Sequence, residues 1–314
     1  MQYEFITDLS EKEYFKLIDK KKNIHYKTDI SWSISQGIYT VLYVGLKLKK
    51  SFLCCAKIDI VNHNNNIYFN VPNITILKNN EINKSLLVNE ILNLAKIMKA
   101  YKVTILDIDY SDQHLLKKTK SLTSFSIISL KNKTKYYGKD HFEKIFIKDS
   151  NKLLKCDTKY KLNELITIIN NWNIKLPFEL KELVKHYKSK CTVIIEKLDL
   201  VYYASKYNDL TRDTIDELID TFGEEMIVGF AIILYPNQKY NAYCITLERI
   251  NAFENLNIED TLILKIISTT TRKKYNNIIF NKAIRGLKTI NEYKYQIILK
   301  KLKYWSLKLQ KKED

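Results

Sequence analysis

The stretch Leu86–Tyr110, LLVNEILNLAKIMKAYKVTILDIDY, decides the fold. Its first part places Leu87, Ile91, Leu94, Ala95 and Met98 on one stripe, the spacing of an amphipathic helix. After Ala100 the pattern turns to VTILDID, a β-branched, apolar run that predicts a buried strand. A period of two sends Asp107 and Asp109 to the face of Val103 and Ile105. Ligands of α/β sheets sit in the crevice beyond the carboxyl ends of strands, so Asp109 is a candidate site residue. The plainer alternative is a solvated acid where a strand meets its loop.

Working outward, the plan occurs twice. Ahead of the stretch, FLCCAKIDIV and NIYFNVPNI are strand-like runs joined by the turn residues His63, Asn64, Asn65 and Asn66. Later, MIVGFAIILYP and KYNAYCITLE are joined through Pro236 and Asn237. A helix pattern over Asp260–Arg272 follows, with Leu262, Leu264, Ile266 and Ile267 apolar, and then the strand NNIIF ending at Phe280. Hairpin, helix and strand thus recur in both halves, a repeat of pattern rather than of residue identity. The expected fold class is α/β, built as two tandem units with mixed sheets. Their expected bounds are 1–140 and 141–295, with a tail, 296–314, packing back on the first. The polar, basic segment Lys131–Asp140, KNKTKYYGKD, is the expected linker.

Elsewhere, Ser10 and Glu13 have the spacing of a capping box and open a helix towards Lys20. Ile38–Leu48 is an apolar strand, Asp112–Lys120 reads as a helix, and Lys144–Lys148 as a strand. The apolar fraction of 46% is ample for packed cores. The net charge of +17 favours anionic partners, although an A/T-rich genome produces the same lysine bias. From Thr271 to the end, thirteen Lys and Arg face three acids. The five cysteines show no metal-ligand spacing, and Cys54–Cys55 lies in an apolar strand, so reduced core cysteines are expected. The polar start lacks a signal-peptide pattern, and no apolar run is long enough to span a bilayer. A soluble, cytoplasmic chain is expected.

Neither the phosphate-loop spacing nor GxGxxG occurs, and HExxH, GxSxG and the kinase set are missing. With five scattered histidines, no metal site is expected and no cofactor is implied. Catalysis then falls to carboxylates, lysines, backbone groups or the substrate. Hairpin, helix, strand in duplicate suggests the acyltransferase fold of the GNAT type. The glycine-containing pyrophosphate loop of such enzymes is missing from both halves, which disfavours an acetyl-coenzyme A donor.

In this combination the chain resembles the Fem group of peptidoglycan-bridge aminoacyltransferases. HYKTDISW (His25–Trp32) is similar to the family's early segment ending in Trp. YVGLKLKKSFLCCAKIDIV resembles its paired first strands, and IYFNVPNITI stands where the family has an aromatic run and Pro-Arg-Gly-Pro. LAKIMKAYKVTILDIDY is similar to the helix, strand and terminal Asp-Pro, and Tyr293–Lys294 falls at the family's Phe–Lys pair. The chain departs from the pattern in Asn73 for the Arg, in the missing Gly and Pro, and in Tyr110 for the Pro after Asp109. Gln36 occupies a position often basic in the family.

The resemblance implies transfer of an amino acid from aminoacyl-tRNA to the stem-peptide amine of a UDP-linked or lipid-linked peptidoglycan precursor. It implies catalytic roles for Lys294 and Asp109 and substrate contacts by Trp32, Gln36, Asn73, Tyr293 and Arg285. An aminoacyl ester is already activated, so orientation and a charge beside the oxyanion are the main needs. A lysine supplies that charge, and a carboxylate holds or deprotonates the attacking ammonium. Lys273, Lys274 and Lys282 are the expected tRNA-binding lysines. The expected partners include no DNA; the chain is expected to be a monomer, with peripheral contact to an anionic membrane. Two other readings stay open. VTILDID also resembles the DxD signature of metal-dependent glycosyltransferases, where two acids hold a divalent cation. A basic, tyrosine-rich chain also suits a non-catalytic protein binding RNA or other anions.

Overall fold

The strand Ser51–His63, β3, shows how the first half is assembled, because its two faces bury different things. Cys54, Ala56 and Ile58 point into one core with Leu87, Val88, Ile91, Leu92 and Ala95 of the central helix. Cys55 points to the other face, into a smaller cluster with Leu9, Tyr14, Ile18 and Tyr43. A strand buried on both sides reads as a nearly continuous apolar run, and FLCCAKIDIV is one.

The computed structural model describes residues 3–19, 21, 25–78, 81–107, 117–118, 123–130, 154–207, 210–236, 240–253, 256–282 and 297–308. The chain divides into two compact units, residues 1–125 with 300–314, and residues 126–299. The expected linker, 131–140, and the expected strand at Lys144–Lys148 lie outside the described residues.

In chain order, unit 1 has β1 (Glu4–Ile6), α1 (Glu11–Ile18), a 3₁₀ turn (Tyr26–Thr28), α2 (Ile30–Ser35), β2 (Thr40–Leu48), β3 (Ser51–His63), β4 (Asn66–Val71), β5 (Ile74–Ile76), α3 (Glu81–Ile97), β6 (Lys102–Asp107) and β7 (Lys117–Lys118). Unit 2 follows with β8 (Thr123–Ser129), β9 (Leu154–Asp157), α4 (Leu162–Asn171), α5 (Leu180–Tyr187), β10 (Cys191–Asp199), α6 (Leu200–Lys206), α7 (Arg212–Phe222), β11 (Glu225–Leu234), β12 (Asn241–Arg249), α8 (Ile258–Arg272) and β13 (Asn277–Phe280). The last strand is β14 (Ile297–Lys308), and its residues Lys303–Lys308 pair antiparallel with β6 of unit 1. The capping box forms as expected at α1: Ser10 Oγ accepts from the Glu13 N–H, and Glu13 accepts from the Ser10 N–H. The helix expected over Asp112–Lys120 is corrected at Lys117–Lys118, a strand paired with Ser306 and Trp305 of β14. Charged residues flanking a strand edge imitate a polar helix in sequence.

Both sheets are mixed. In unit 1 the order is β1-β2-β3-β4-β6-β14, antiparallel except for the parallel pair β4 and β6. In unit 2 the order is β8-β13-β12-β11-β10-β9, with β12 and β13 parallel. The parallel pair closes a hairpin–helix–strand crossover in each unit, β3-β4-α3-β6 and β11-β12-α8-β13.

The registers reveal a finer equivalence. The last parallel pair is Val71 with Ile105 in unit 1 and Cys244 with Phe280 in unit 2. Immediately beyond it, each unit has one extra residue in the central strand. In unit 1, Asp59 pairs with Asn70 but Ala56 with Ile74, so Pro72–Asn73 form the bulge. In unit 2, Ile232 pairs with Thr246 but Ile233 with Cys244, leaving Ile245 over. A bulge bends its strand and ends pairing. Here it falls just past the last parallel pair, at the carboxyl ends of the two parallel strands in each unit.

Gly229 lets α8 settle on β11. A Cβ there would meet Ile258 Cγ2 at 2.6 Å and Leu262 Cδ1 at 3.0 Å, beside the Glu248 carbonyl at 3.2 Å. Gly229→Ala is therefore expected to destabilise the protein by about 1–3 kcal/mol through overpacking. A shift in denaturation midpoint measures it; an unchanged midpoint would show that α8 moves freely.

Candidate active site at the carboxyl ends of the parallel strands

In unit 1, the face of β3 that carries Cys55 goes on to present Lys57 and Asp59, two charged residues in an otherwise apolar strand. Lys57 is fully buried and Asp59 is 5% exposed. Lys57 Nζ lies 3.3 Å from Asp59 Oδ1 and donates to Ser33 Oγ at 2.5 Å, the Lys27 carbonyl at 2.7 Å and the Asp29 carbonyl at 3.1 Å. Ser33 in turn donates to Asp59 Oδ1 at 2.7 Å. The ammonium thus ties the 3₁₀ turn and α2 to the sheet. Burial pushes Lys57 below and Asp59 above their ordinary pKa, and each partner's charge pulls the other back.

The local sequence suits this latch. Asp29 caps α2 by accepting the Ser31 N–H, and His25 Nδ1 accepts the Lys27 N–H. Burial and the charges of Lys27 and Lys57 push His25 down to about 3, which keeps its acceptor nitrogen unprotonated. Trp32 is buried at 4% exposure, with its ring edge-on to Tyr26 at 4.7 Å. Gln36 is the exposed C-cap of α2. Asn73 is half-buried in the bulge, three residues past Asn70, the register partner of Asp59. Unit 1 therefore holds Trp32 and Gln36 on one short helix locked to β3, and Asn73 on the strand beside it. The sequence reading missed Lys57 and Asp59; their signal was a lysine and an acid two residues apart inside an apolar run.

Asp109, Lys294, Tyr293 and Arg285 lie outside the described residues. The strand that leads to Asp109 is as expected, with Val103 and Ile105 buried and β6 paired on both sides, to β4 and β14.

In unit 2 the carboxyl ends of the parallel strands are tied together by their own residues. The Asn281 N–H donates to the Cys244 carbonyl at 3.1 Å, and Lys282 Nζ donates to the Leu247 carbonyl at 2.9 Å. Lys282 also pairs with Glu259 Oε1 at 3.0 Å, in the first turn of α8. Lys273 is at the other end, as the C-cap of α8, with its ammonium 4.1 Å from the Tyr235 ring centroid. Lys274 follows, exposed and at φ 64°. The helix between is 15 residues long, about 22 Å. The three lysines expected to bind tRNA lie with Lys273–Lys274 at one end of α8 and Lys282 at the other.

Unit 2 also buries an acid. Glu196 of β10 is 1% exposed; its Oε1 accepts from the Thr261 hydroxyl, and its Oε2 has no partner among the described residues. Burial pushes its carboxyl up to about 8, against hydrogen bonds from Thr261 and Cys156 that favour the charged form. The five cysteines are free, as expected. Among the described residues no group of three or more His, Cys, Asp and Glu is placed to hold a metal ion, and no helix is long and apolar enough to cross a membrane.

No protein-family model matches the chain, and no curated protein is recognisably similar to it in sequence. Solved structures are similar in fold. FemX is similar at a TM-score of 0.62 and 10% identity, over 96% of this chain and 97% of that one. A tandem GNAT protein from the clavulanic acid biosynthesis pathway gives a TM-score of 0.60 at 6% identity, over 99% and 100%. L-PGS from Bacillus licheniformis gives 0.55 at 12% identity, over 96% and 93%. With both crossovers, both bulges and these likenesses in place, the chain has the tandem GNAT-like α/β fold that FemX also has.

Proposed function

We propose that the chain is an aminoacyltransferase of the Fem type. It moves an amino acid from aminoacyl-tRNA to the stem-peptide amine of a UDP-linked or lipid-linked peptidoglycan precursor, in the cytoplasm at the inner face of the membrane. The carrying observation is what stands at the start of the central helices. In a GNAT-like fold, an acyl-coenzyme A pyrophosphate needs free N–H donors at a helix N-terminus. Here the segments from β4 to α3 and from β12 to α8 contain no glycine, and the first turn of α8 carries Glu259 and Asp260. Those acids repel a pyrophosphate. A tRNA ester is an acyl donor that needs no such loop, and the full-length likeness to FemX agrees with it.

In this reading the stem-peptide amine attacks the ester carbonyl carbon, a C–N bond forms, and the C–O bond to the tRNA ribose breaks. Asp109 holds the ammonium and takes one proton from it, which passes to solvent and frees the amine to attack; the second proton, lost from nitrogen as the intermediate collapses, ends on the ribose hydroxyl. Lys294 faces the oxyanion. Trp32, Gln36 and Asn73 contact the precursor beside the unit 1 bulge, and the Lys57–Asp59 latch positions the first two. Tyr293 and Arg285 contact substrate. Lys273 and Lys274 meet tRNA phosphates; Lys282, already tied to Glu259, is assigned to the same partner more weakly.

The test compares Lys294→Met with Lys300→Met and Lys301→Met in single-turnover transfer. Loss of an oxyanion partner costs on the order of a hundredfold or more, so a drop of that size at Lys294 alone is expected. Equal, small losses at all three would reduce Lys294 to general surface charge.

A further inference from the structure

Unit 2 carries a cleft of about 300 Å³ between α4, α7 and the sheet, at the lower limit of small-molecule sites. Lys197 of β10 is the register partner of Ile227 in β11, and Glu225 stands two residues before Ile227. All three therefore lie on one sheet face, and all three line the cleft. Glu164 and Ile168 line it from α4, and Phe222 from the last turn of α7. Ile168 and Ile227 are each 3% exposed and Phe222 is half-buried, so the floor is apolar. Glu164 and Glu225 are exposed. Their own lysines hold them loosely: Lys161 lies 3.2 Å from Glu164, and Lys197 lies 3.6 Å from Glu225.

Helix α7 extends this acidity away from the cleft. Asp213, Asp216, Glu217 and Asp220 are exposed at spacings of three, four and seven residues, which makes one stripe about 10 Å long. Gly223, at φ 82°, ends the helix, and Glu224 and Glu225 follow directly. Among the described residues no ion pair reaches the four acids of the stripe, and the last turn holds no basic residue. Like charges four residues apart, and an acid at the negative end of the helix dipole, both cost stability. A chain of net charge +17 thus leaves this face without cations of its own.

The pattern is selective. The acids are strung along a line, and no group of three or more converges on a metal position among the described residues. A single ion would therefore use only part of the stripe. RNA phosphates and anionic lipids are repelled by it. An apolar floor beneath two carboxylates suits methylene stems that end in a cation, as in lysine and arginine.

We propose that this face of unit 2 docks a lysine- or arginine-rich segment of a partner polypeptide. One side chain lies in the cleft, its stem on Ile168, Phe222 and Ile227 and its cation at Glu164 and Glu225. Neighbouring cations follow the α7 stripe. The surface belongs to unit 2 alone and is independent of the transfer reaction.

Fluorescence anisotropy of a labelled oligolysine peptide with the full chain tests it. A protein of +17 repels a polycation as a whole, so saturable binding has to be local. One-to-one binding is expected. Asp216→Asn with Asp220→Asn, and separately Glu225→Gln, should weaken it roughly tenfold or more. Asp8→Asn with Glu11→Gln, in unit 1, should leave it unchanged. All five positions are exposed, and circular dichroism checks that each variant folds. A peptide of 2,4-diaminobutyrate carries the same charge on shorter stems and should bind several-fold more weakly. Equal affinity would leave the apolar floor unused and overturn the cleft assignment. No saturable binding at millimolar peptide, or an equal loss in the unit 1 variant, would overturn the docking surface. So would sedimentation in which the parent self-associates and the α7 variant does not, since a second copy would then be the occupant. Transfer activity in the tRNA assay, present or absent, changes none of these outcomes.

Discussion

Lys57→Ala is expected to lower unfolding stability by about 3–5 kcal/mol, because it strands a buried carboxylate and two carbonyls at once. The ammonium is fully buried and meets four oxygens within 3.3 Å, those of Asp59, Ser33, Lys27 and Asp29. An exposed ion pair would contribute far less, about 0–1 kcal/mol. Removing both charges should hurt less than removing one, since a buried pair replaced by apolar groups is often neutral. Lys57→Met with Asp59→Leu is therefore expected to recover much of the loss. The denaturant midpoint reads both variants. A single variant that costs less than about 1 kcal/mol would mean that water reaches the pair. If the latch also positions Trp32 and Gln36, the double variant should stay folded yet bind the precursor poorly.

The second large effect is a pH dependence centred on Glu196. Its folded carboxyl titrates at about 8, whereas its ordinary value is 4.5. Between those values the native protein holds a proton that the unfolded chain has released. The contribution is thus fully present below pH 4.5 and is lost as pH rises through 8. Each pH unit in that window is worth about 1.4 kcal/mol, so the whole approaches about 5 kcal/mol. Glu196→Gln keeps the shape and cannot ionise. The variant should match the parent near pH 5 and exceed it by several kcal/mol near pH 9. A difference that stays constant over this range would place the Glu196 titration near its ordinary value.

The duplicated plan was legible because it rests on periodicity, which survives when residue identities do not. Val103 and Ile105, Leu262 and Ile266 all pack where their spacing predicts. The bulges were not legible. One is built on Pro72–Asn73 and the other on Ile245, so no shared residue marks them; the register alone does. Lys57 and Asp59 were hidden by their surroundings, since a strand that is apolar on both faces masks two charges that satisfy each other. The placement of the three lysines was not legible for a different reason. Lys273, Lys274 and Lys282 are close in sequence, but the chain returns along β13 and delivers Lys282 to the first turn of α8.

The central claim is the identity of the acyl donor, and a donor competition measures it. Purified protein is given a peptidoglycan precursor with either a pool of labelled aminoacyl-tRNAs or labelled acetyl-coenzyme A, and label on the stem-peptide amine is followed. The acids in the first turn of α8 and the glycine-free segments before α3 and α8 predict transfer from aminoacyl-tRNA and none from acetyl-coenzyme A. Acetyl transfer to an amine, with aminoacyl-tRNA inert, would contradict it.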